Sequence, residues 1–249
     1  MNKIFLTDDG SHSLMSDTFG DSYHSKFGAI QESQHVFIDA ALNYQTAKGQ
    51  TDLTILEIGF GTGLNALMTY REAMKQNLKI HYTTFEKYPL SIEQANSLNY
   101  AEQLGISPSI LETLHGCKWN EDVVLNAHFT VNKQEKDCQS IDLQNFADIV
   151  YFDAFAPQIQ PELWEQPFLQ KIFDALKPDG VLTTYCAKGA VKRALKAVGF
   201  QIESLEGPVG KREMTRALKK WPLFMWHWVL KIFTNKYLKL GSFQYFTLF

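Results

Sequence analysis

Residues 53–65 read LTILEIGFGTGLN, an apolar run that stops at three alternating glycines and resumes as a leucine- and alanine-rich stretch. The run Leu53–Ile58 is short and β-branched, the signature of a strand buried on both faces. The stretch from Leu64 to Gln76 has the composition of a helix. A strand, a glycine turn and a helix in that order predict the first unit of an α/β domain, with the turn at the carboxyl end of the strand.

The rest of the chain repeats the alternation. Residues 79–85 (KIHYTTF), 128–131, 148–152 (DIVYF) and 181–185 read as further strands. Helices are predicted at 91–104, where Ser91 and Gln94 have capping-box spacing, at 164–176 before Lys177-Pro178-Asp179-Gly180, and at about 189–198 before Gly199. Two last strands, 200–205 and 212–218, follow each other around Gly207-Pro208-Val209-Gly210 with no helix between them. The expected fold is therefore α/β and doubly wound: a mostly parallel, seven-stranded sheet closed by an antiparallel final hairpin. Residues 105–126 give no clear pattern.

Composition sets the outer limits. At 249 residues with 45% hydrophobic and 20% charged side chains, the chain has ample material for one large core. Cys117, Cys138 and Cys186 are far apart and odd in number, which argues against a disulfide framework or a zinc knuckle and fits a reducing, cytoplasmic setting. No metal is expected, and HExxH and GxSxG motifs are absent from the sequence. No signal peptide is read at MNKIFLTDDG, and no stretch reaches the roughly 18 apolar residues of a membrane span. Charge is unevenly placed: residues 1–187 carry 12 basic and 24 acidic side chains, residues 188–249 carry 12 basic and 3 acidic. A basic end on an acidic body suits a polyanionic partner, and equally suits a merely solvated face.

Site chemistry follows from position, because ligands in such sheets sit at the carboxyl ends of the strands. The loop reads GxGxG, not the GxGxxG of pyrophosphate cofactors, and it lacks the Lys-Ser/Thr of a P-loop. Glu57 stands two positions before Gly59. A carboxylate there repels a pyrophosphate but attracts the ammonium end of a methionine-like ligand. Glu86 ends the second strand 23 residues after Gly63, where a ribose diol is gripped in doubly wound folds. Asp153 ends the strand DIVYF and heads a proline-containing loop; a carboxylate there can orient an amine and take its proton, unless it only caps the loop. Tyr23 and the apolar patch 35–38 read either as a cap over the site or as plain packing.

Together these residues resemble a known family, the methyltransferase domain of the bifunctional tRNA wobble-uridine enzymes MnmC, which form 5-methylaminomethyl-2-thiouridine. The similarity lies in YHSKFGAIQESQHVFI (23–38), EIGFGTGLN (57–65), FEKYPL (85–90), YFDAFAPQIQPELW (151–164) and GPVGKREMTRA (207–217), and it covers roughly residues 20–218. The resemblance implies a class I, Rossmann-like methyltransferase domain over residues 1–218, with residues 1–50 as a cap segment. It also implies S-adenosyl-L-methionine as cofactor, tRNA as partner and N-methylation of the aminomethyl group of 5-aminomethyl(-2-thio)uridine.

Carried over by position, Glu57, Gly59, Gly61 and Gly63 would hold the methionine end of the cofactor, Glu86 its ribose, and Tyr23 would line the site. Asp153 would face the acceptor amine, and Lys211 and Arg212 would contact tRNA. For the adenine only Asp137 offers an acid. The flavin oxidase domain of the bifunctional enzymes has no room in 249 residues, so no flavin is expected.

Residues 219–249, with five lysines, no acids and many aromatics, lie beyond the family pattern. Membrane contact, RNA stacking and simple packing on the domain all suit this basic aromatic tail, and packing is the preferred reading. Two other functions share the fold: a methyl- or aminopropyltransferase for a small amine, and a non-catalytic RNA-binding relative.

Overall fold

The computed structural model describes residues 2–220. The chain opens with a two-stranded antiparallel hairpin, β1 (Lys3–Leu6) and β2 (His12–Met15). A helical segment follows: α1 (Ala29–Ser33), a π-helical continuation Gln34–Leu42, and α2 (Asn43–Thr46). The alternating region then runs β3 (Asp52–Ile58), α3 (Leu64–Gln76), β4 (Lys79–Glu86), α4 (Ile92–Asn96), α5 (Tyr100–Leu104), α6 (Pro108–Gly116), β5 (Asp122–Asn126) and β6 (Phe129–Glu135). It finishes with β7 (Ala147–Phe152), α7 (Gln166–Ala175), β8 (Leu176–Thr184), α8 (Gly189–Ala197), β9 (Gln201–Glu206) and β10 (Glu213–Leu218).

The main sheet has the order β5-β6-β4-β3-β7-β8-β10-β9. Strands β6, β4, β3, β7 and β8 pair in parallel. The final hairpin is antiparallel, as expected, with β10 inserted between β8 and β9. The sheet has eight strands rather than seven. The extra one is β5, an antiparallel edge strand with a register irregularity at Val124/Asn126. Its residues are mostly half-exposed or exposed, so they lack the apolar run that betrays a buried strand.

Two local departures stand out. The segment 91–104 is two helices, not one. Its capping box at Ser91 and Gln94 is present, but Asn99 interrupts the helix and spends its amide on the first hairpin, accepting from His12 N (2.8 Å) and donating to Gly10 O (2.9 Å). α7 ends at Ala175, before Lys177 as expected, but Lys177–Gly180 is not a free turn; β8 runs through it, with Asp179 at φ 62°. The apolar patch 35–38 takes the packing alternative: it lies in the π-helical segment, where Val36, Phe37 and Ile38 are buried in the core.

The central strands show why the fold is doubly wound. Ile55, Ile149 and Tyr151 face one core with Phe37, Leu67 and Met68. Their neighbours Leu56, Val150 and Phe152 face a second core with Phe168, Ile172, Val191 and Leu195 of α7 and α8. Successive strand residues alternate between the two faces, and both are apolar. Strand order switches at β3, whose neighbours are β4 and β7, so a crevice opens beyond Ile58 and Phe152.

Candidate functional site

The crevice is a cavity of about 330 Å³, within the ordinary range of small-molecule sites. Its floor is the turn from β3 to α3. Gly59, Gly61 and Gly63 have φ of 92°, 50° and 73°, backbone angles that side chains rarely adopt. Space is equally limited: a Cβ on Gly61 would stand 3.0 Å from the Tyr23 ring, and one on Gly63 would stand 2.7 Å from His115 Nε2. The loop is a backbone cradle, with Gly59, Gly61, Leu64 and Asn65 all exposed to the cavity.

Glu86, at the end of β4, lines the wall above this loop. Its carboxylate accepts from Gly61 N (2.9 Å) and from Tyr88 N (2.7 Å). Those two bonds fix its orientation and leave acceptor capacity on each oxygen for a diol. Asp137 and Cys138 lie on the same wall. Asp137 is largely engaged already, accepting from Lys87 Nζ and from Gln139 N, both at 2.9 Å.

Glu57 lies one layer behind the cavity. It is fully buried beneath the loop and does not line the cavity; Asn65 stands between. The Asn65 amide Nδ2 donates to Glu57 Oε1 (3.1 Å) and to Asp153 Oδ2 (2.8 Å), so one amide bridges two carboxyl groups. The Tyr82 and Thr84 hydroxyls lie beside Glu57, yet Glu57 Oε2 and both hydroxyls lack a well-formed hydrogen bond. Burial pushes the Glu57 carboxyl well above the usual range, and the nearby Asp153 adds to the effect. A cation brought near this pair would relieve both.

Asp153 follows β7 directly, and its backbone N donates to Ile58 O (3.2 Å), which ties the two strand ends together. Burial raises its carboxyl to about 7, Glu32 pushes the same way, and Asn65 and Lys211 oppose them. A carboxyl balanced near neutrality, at the end of a central strand and open to a cavity, is suited to accepting a proton.

The outer part of the cavity is aromatic. Phe155 packs on Phe19 (ring centroids 4.4 Å) and Tyr23 (5.2 Å), and Phe19 meets Tyr88 (5.8 Å). Tyr23 is thus a wall residue, with its hydroxyl pushed up to about 12 by burial and by Glu86. The two basic residues of the final turn separate. Arg212 is exposed, whereas Lys211 turns into the cavity wall and pairs with Glu32. Lys211 thus stands at the cavity wall, and Arg212 beside it faces outward. The Lys211 ammonium is already held by a buried carboxylate, because the tight turn at Gly207–Gly210 aims it inward.

Sequence reasoning missed Asn65, Glu32, Phe155 and Tyr185 as site residues. Asn65 could have been found: helical spacing after the glycine loop puts it back over the strand end. Among the described residues there is no cluster of three or more His, Cys, Asp or Glu suited to a metal ion, and no helix long and apolar enough to cross a membrane.

A family model described as S-adenosyl-L-methionine-dependent methyltransferase matches residues 103–220. The tRNA 5-methylaminomethyl-2-thiouridine biosynthesis bifunctional protein MnmC of Aromatoleum aromaticum is 31% identical over 229 residues, covering 86% of this chain and 35% of that protein. Among solved structures, MNMC2 from Aquifex aeolicus superposes with a TM-score of 0.73 at 29% identity, over 89% of this chain and 71% of the other. The chain belongs to the MnmC-like family of S-adenosyl-L-methionine-dependent methyltransferases. Spermidine synthase from Thermotoga maritima has the same fold, with a TM-score of 0.53 at 16% identity over 87% of this chain and 72% of the other. This MnmC-like chain spans about a third of the length of the curated relatives it matches.

Proposed function

We propose that the chain methylates the aminomethyl nitrogen of 5-aminomethyl(-2-thio)uridine at the wobble position of tRNA. The observation that carries the reading is Asp153: a carboxyl raised to about 7, in the same cavity as the glycine cradle and Glu86. The names of the matched relatives supply the acceptor class. Residues 1–218 are read as the methyltransferase domain, with residues 1–50 as its cap. The tail 219–249 falls outside the described residues, apart from Lys219 and Lys220.

The residues present fit S-adenosyl-L-methionine. Gly59, Gly61 and Gly63 provide the close backbone approach, and Glu86 retains acceptor capacity for the ribose hydroxyls. Asn65 and the incompletely bonded Glu57 behind it provide a negative end for the methionine ammonium. Asp137 and Cys138 flank the place left for the adenine, and Tyr23 closes the wall over Gly61. When bound, the cofactor supplies a methyl group on a sulfonium, an electrophile that needs a neutral amine in line with it. The chain's contribution is to hold that amine. Asp153 orients it, accepts the proton that an incoming ammonium must lose, and is itself held by Asn65. Positioning of this kind accounts for much of the rate in group transfer. The aromatic walls Phe19, Tyr23 and Phe155 suit a flat pyrimidine turned out of its stack. Lys211, at the cavity wall, and Arg212, exposed beside it, are the proposed tRNA contacts.

The test is methyl transfer from labelled S-adenosyl-L-methionine to tRNA from cells lacking the modification, with nucleoside analysis. Label in 5-methylaminomethyl(-2-thio)uridine is expected, with activity falling steeply as salt rises. Transfer to small amines with none to tRNA would refute the reading. With Asp153 titrating near 7, kcat/KM should rise about tenfold between pH 6 and pH 8. Asp153→Ala should lose about 10²- to 10⁴-fold in rate while keeping cofactor binding.

A further inference from the structure

The five-residue distance between Gly207 and Arg212 delivers Lys211 to a place that a surface turn would not. Gly207 is so close to the far side of the turn that a Cβ would lie 2.4 Å from Lys211 O, and the turn is closed by Lys211 N donating to Pro208 O (2.8 Å). The side chain then runs inward. Its ammonium lies 4.0 Å from the centroid of the Tyr185 ring and donates to Glu32 Oε1. Glu32 is itself fixed from the other side, because Oε2 accepts from Ser25 N (2.9 Å). Tyr185 donates its hydroxyl to Ala154 O (2.9 Å), the carbonyl next to Asp153. Lys211, Glu32, Tyr185 and Asp153 all line the one cavity.

The pair is half-buried, with the Lys211 side chain 32% exposed, and such pairs add little stability because desolvation and side-chain ordering offset the attraction. The fixed position of this pair on the acceptor side points to a role in the chemistry. We propose that Lys211 and Glu32 are a positioning pair for Asp153, setting the charge balance of the acceptor end of the cavity so that Asp153 can receive the proton of an incoming ammonium. The inference rests on reading Asp153 as the acceptor-side carboxylate.

The physical basis is two opposed effects on one carboxyl. Lys211 favours the ionised form of Asp153, and Glu32 disfavours it. The other groups facing Asp153 are Glu57, Tyr82 and Tyr100 from the sheet and helix side, and Tyr185 just beyond the end of β8. None of these supplies a cation. His24, beside Glu32 and Lys211, is held neutral by burial, with its ring pushed down to about 4. Among these described groups, Lys211 alone offsets the crowd of acids. With the pair intact, the Asp153–Glu32–Lys211 group carries one net negative charge when Asp153 is ionised, matching a single ammonium. Without Lys211 it would carry two, and Asp153 would hold its proton too tightly to accept another.

The two halves of the pair can be separated experimentally because they act in opposite directions. The Asp153 carboxyl carbon is titrated by carbon-13 NMR in the whole chain, with the resonance assigned from Asp153→Asn. In Lys211→Met, which keeps the length of the side chain over Tyr185, the midpoint moves up by about one pH unit. In Glu32→Gln it moves down by a similar amount, and Lys211→Arg restores the original midpoint. In the methyl-transfer assay the acid limb of kcat/KM follows the same displacements. A purely structural pair would lower activity equally at every pH and leave the midpoint where it was. Midpoints that stay fixed, or move the same way in both variants, overturn the proposal. If Lys211→Met does not fold, as judged by its thermal melt, Glu32→Gln decides alone: a downward move supports the pair and a fixed midpoint refutes it. The titration needs neither tRNA nor methyl donor. A chain that fails to methylate tRNA yet shows opposed displacements would lose the function proposed above and keep this inference.

Discussion

Replacing Asp153 by Asn should stabilise the protein while stopping its chemistry, and the gain should depend on pH. The carboxyl takes its proton at about 7 in the folded chain, against an ordinary value of 3.8. Between those two values the native state binds more protons than the unfolded state, so stability falls as pH rises through the window. The full cost, present above pH 7, is about three units at 1.36 kcal/mol each, or about 4 kcal/mol. By pH 5 the unfolded carboxyl is ionised and the folded one is not, which accounts for about 1.6 kcal/mol of that cost. Asn keeps the shape and an oxygen for the Asn65 amide, but has no proton to lose. The stability difference between Asp153→Asn and the wild type should therefore widen by about 2–3 kcal/mol between pH 5 and pH 8. Urea unfolding at a series of pH values reads this directly. A difference that stays constant across the range would refute the buried, proton-holding carboxyl, and with it the proton-accepting role.

Two further perturbations test the frame around that carboxyl. Gly61→Val places a branched side chain against the Tyr23 ring, already 3.0 Å from an added Cβ, at a φ of 50°; calorimetry should find S-adenosyl-L-methionine binding abolished. Ser91→Ala removes the capping box that starts α4 and should cost about 1 kcal/mol in urea unfolding, with methyl transfer unchanged at saturating substrate.

What could be read from the chain depended on how local the cause was. β3 and β7 announced themselves because both faces are buried, so every residue of Leu53–Ile58 but Thr54 had to be buried, and Ala147–Phe152 is buried throughout. The glycine loop was legible because its geometry is imposed by three residues in a row of five. β5 was not, since an edge strand with exposed residues carries little hydrophobic pattern. The break between α4 and α5 was hidden because Asn99 bonds to residues nearly ninety positions away. Lys211 gave the plainest lesson. Its basic setting was visible in the sequence, but its pairing with Glu32, 179 positions earlier, is set by the fold alone. For Glu57, the intervening Asn65, which lines the cavity and bonds to it, is visible only in the fold.

The Glu32–Lys211 contact joins residues 179 positions apart, which gives the site an order of assembly. As the chain leaves the ribosome, the glycine cradle, Glu86 and Asp153 all emerge before residue 211. The end of the cavity proposed for the cofactor can form early, from contacts near in sequence, whereas the end proposed for the acceptor is completed only when the last hairpin docks. Until then the Glu32 carboxylate, buried and bonded to Ser25 N, has no cation to face. Completion of the hairpin and completion of the acceptor wall are thus one event, and a nascent chain acquires its chemistry only at the moment its sheet is finished.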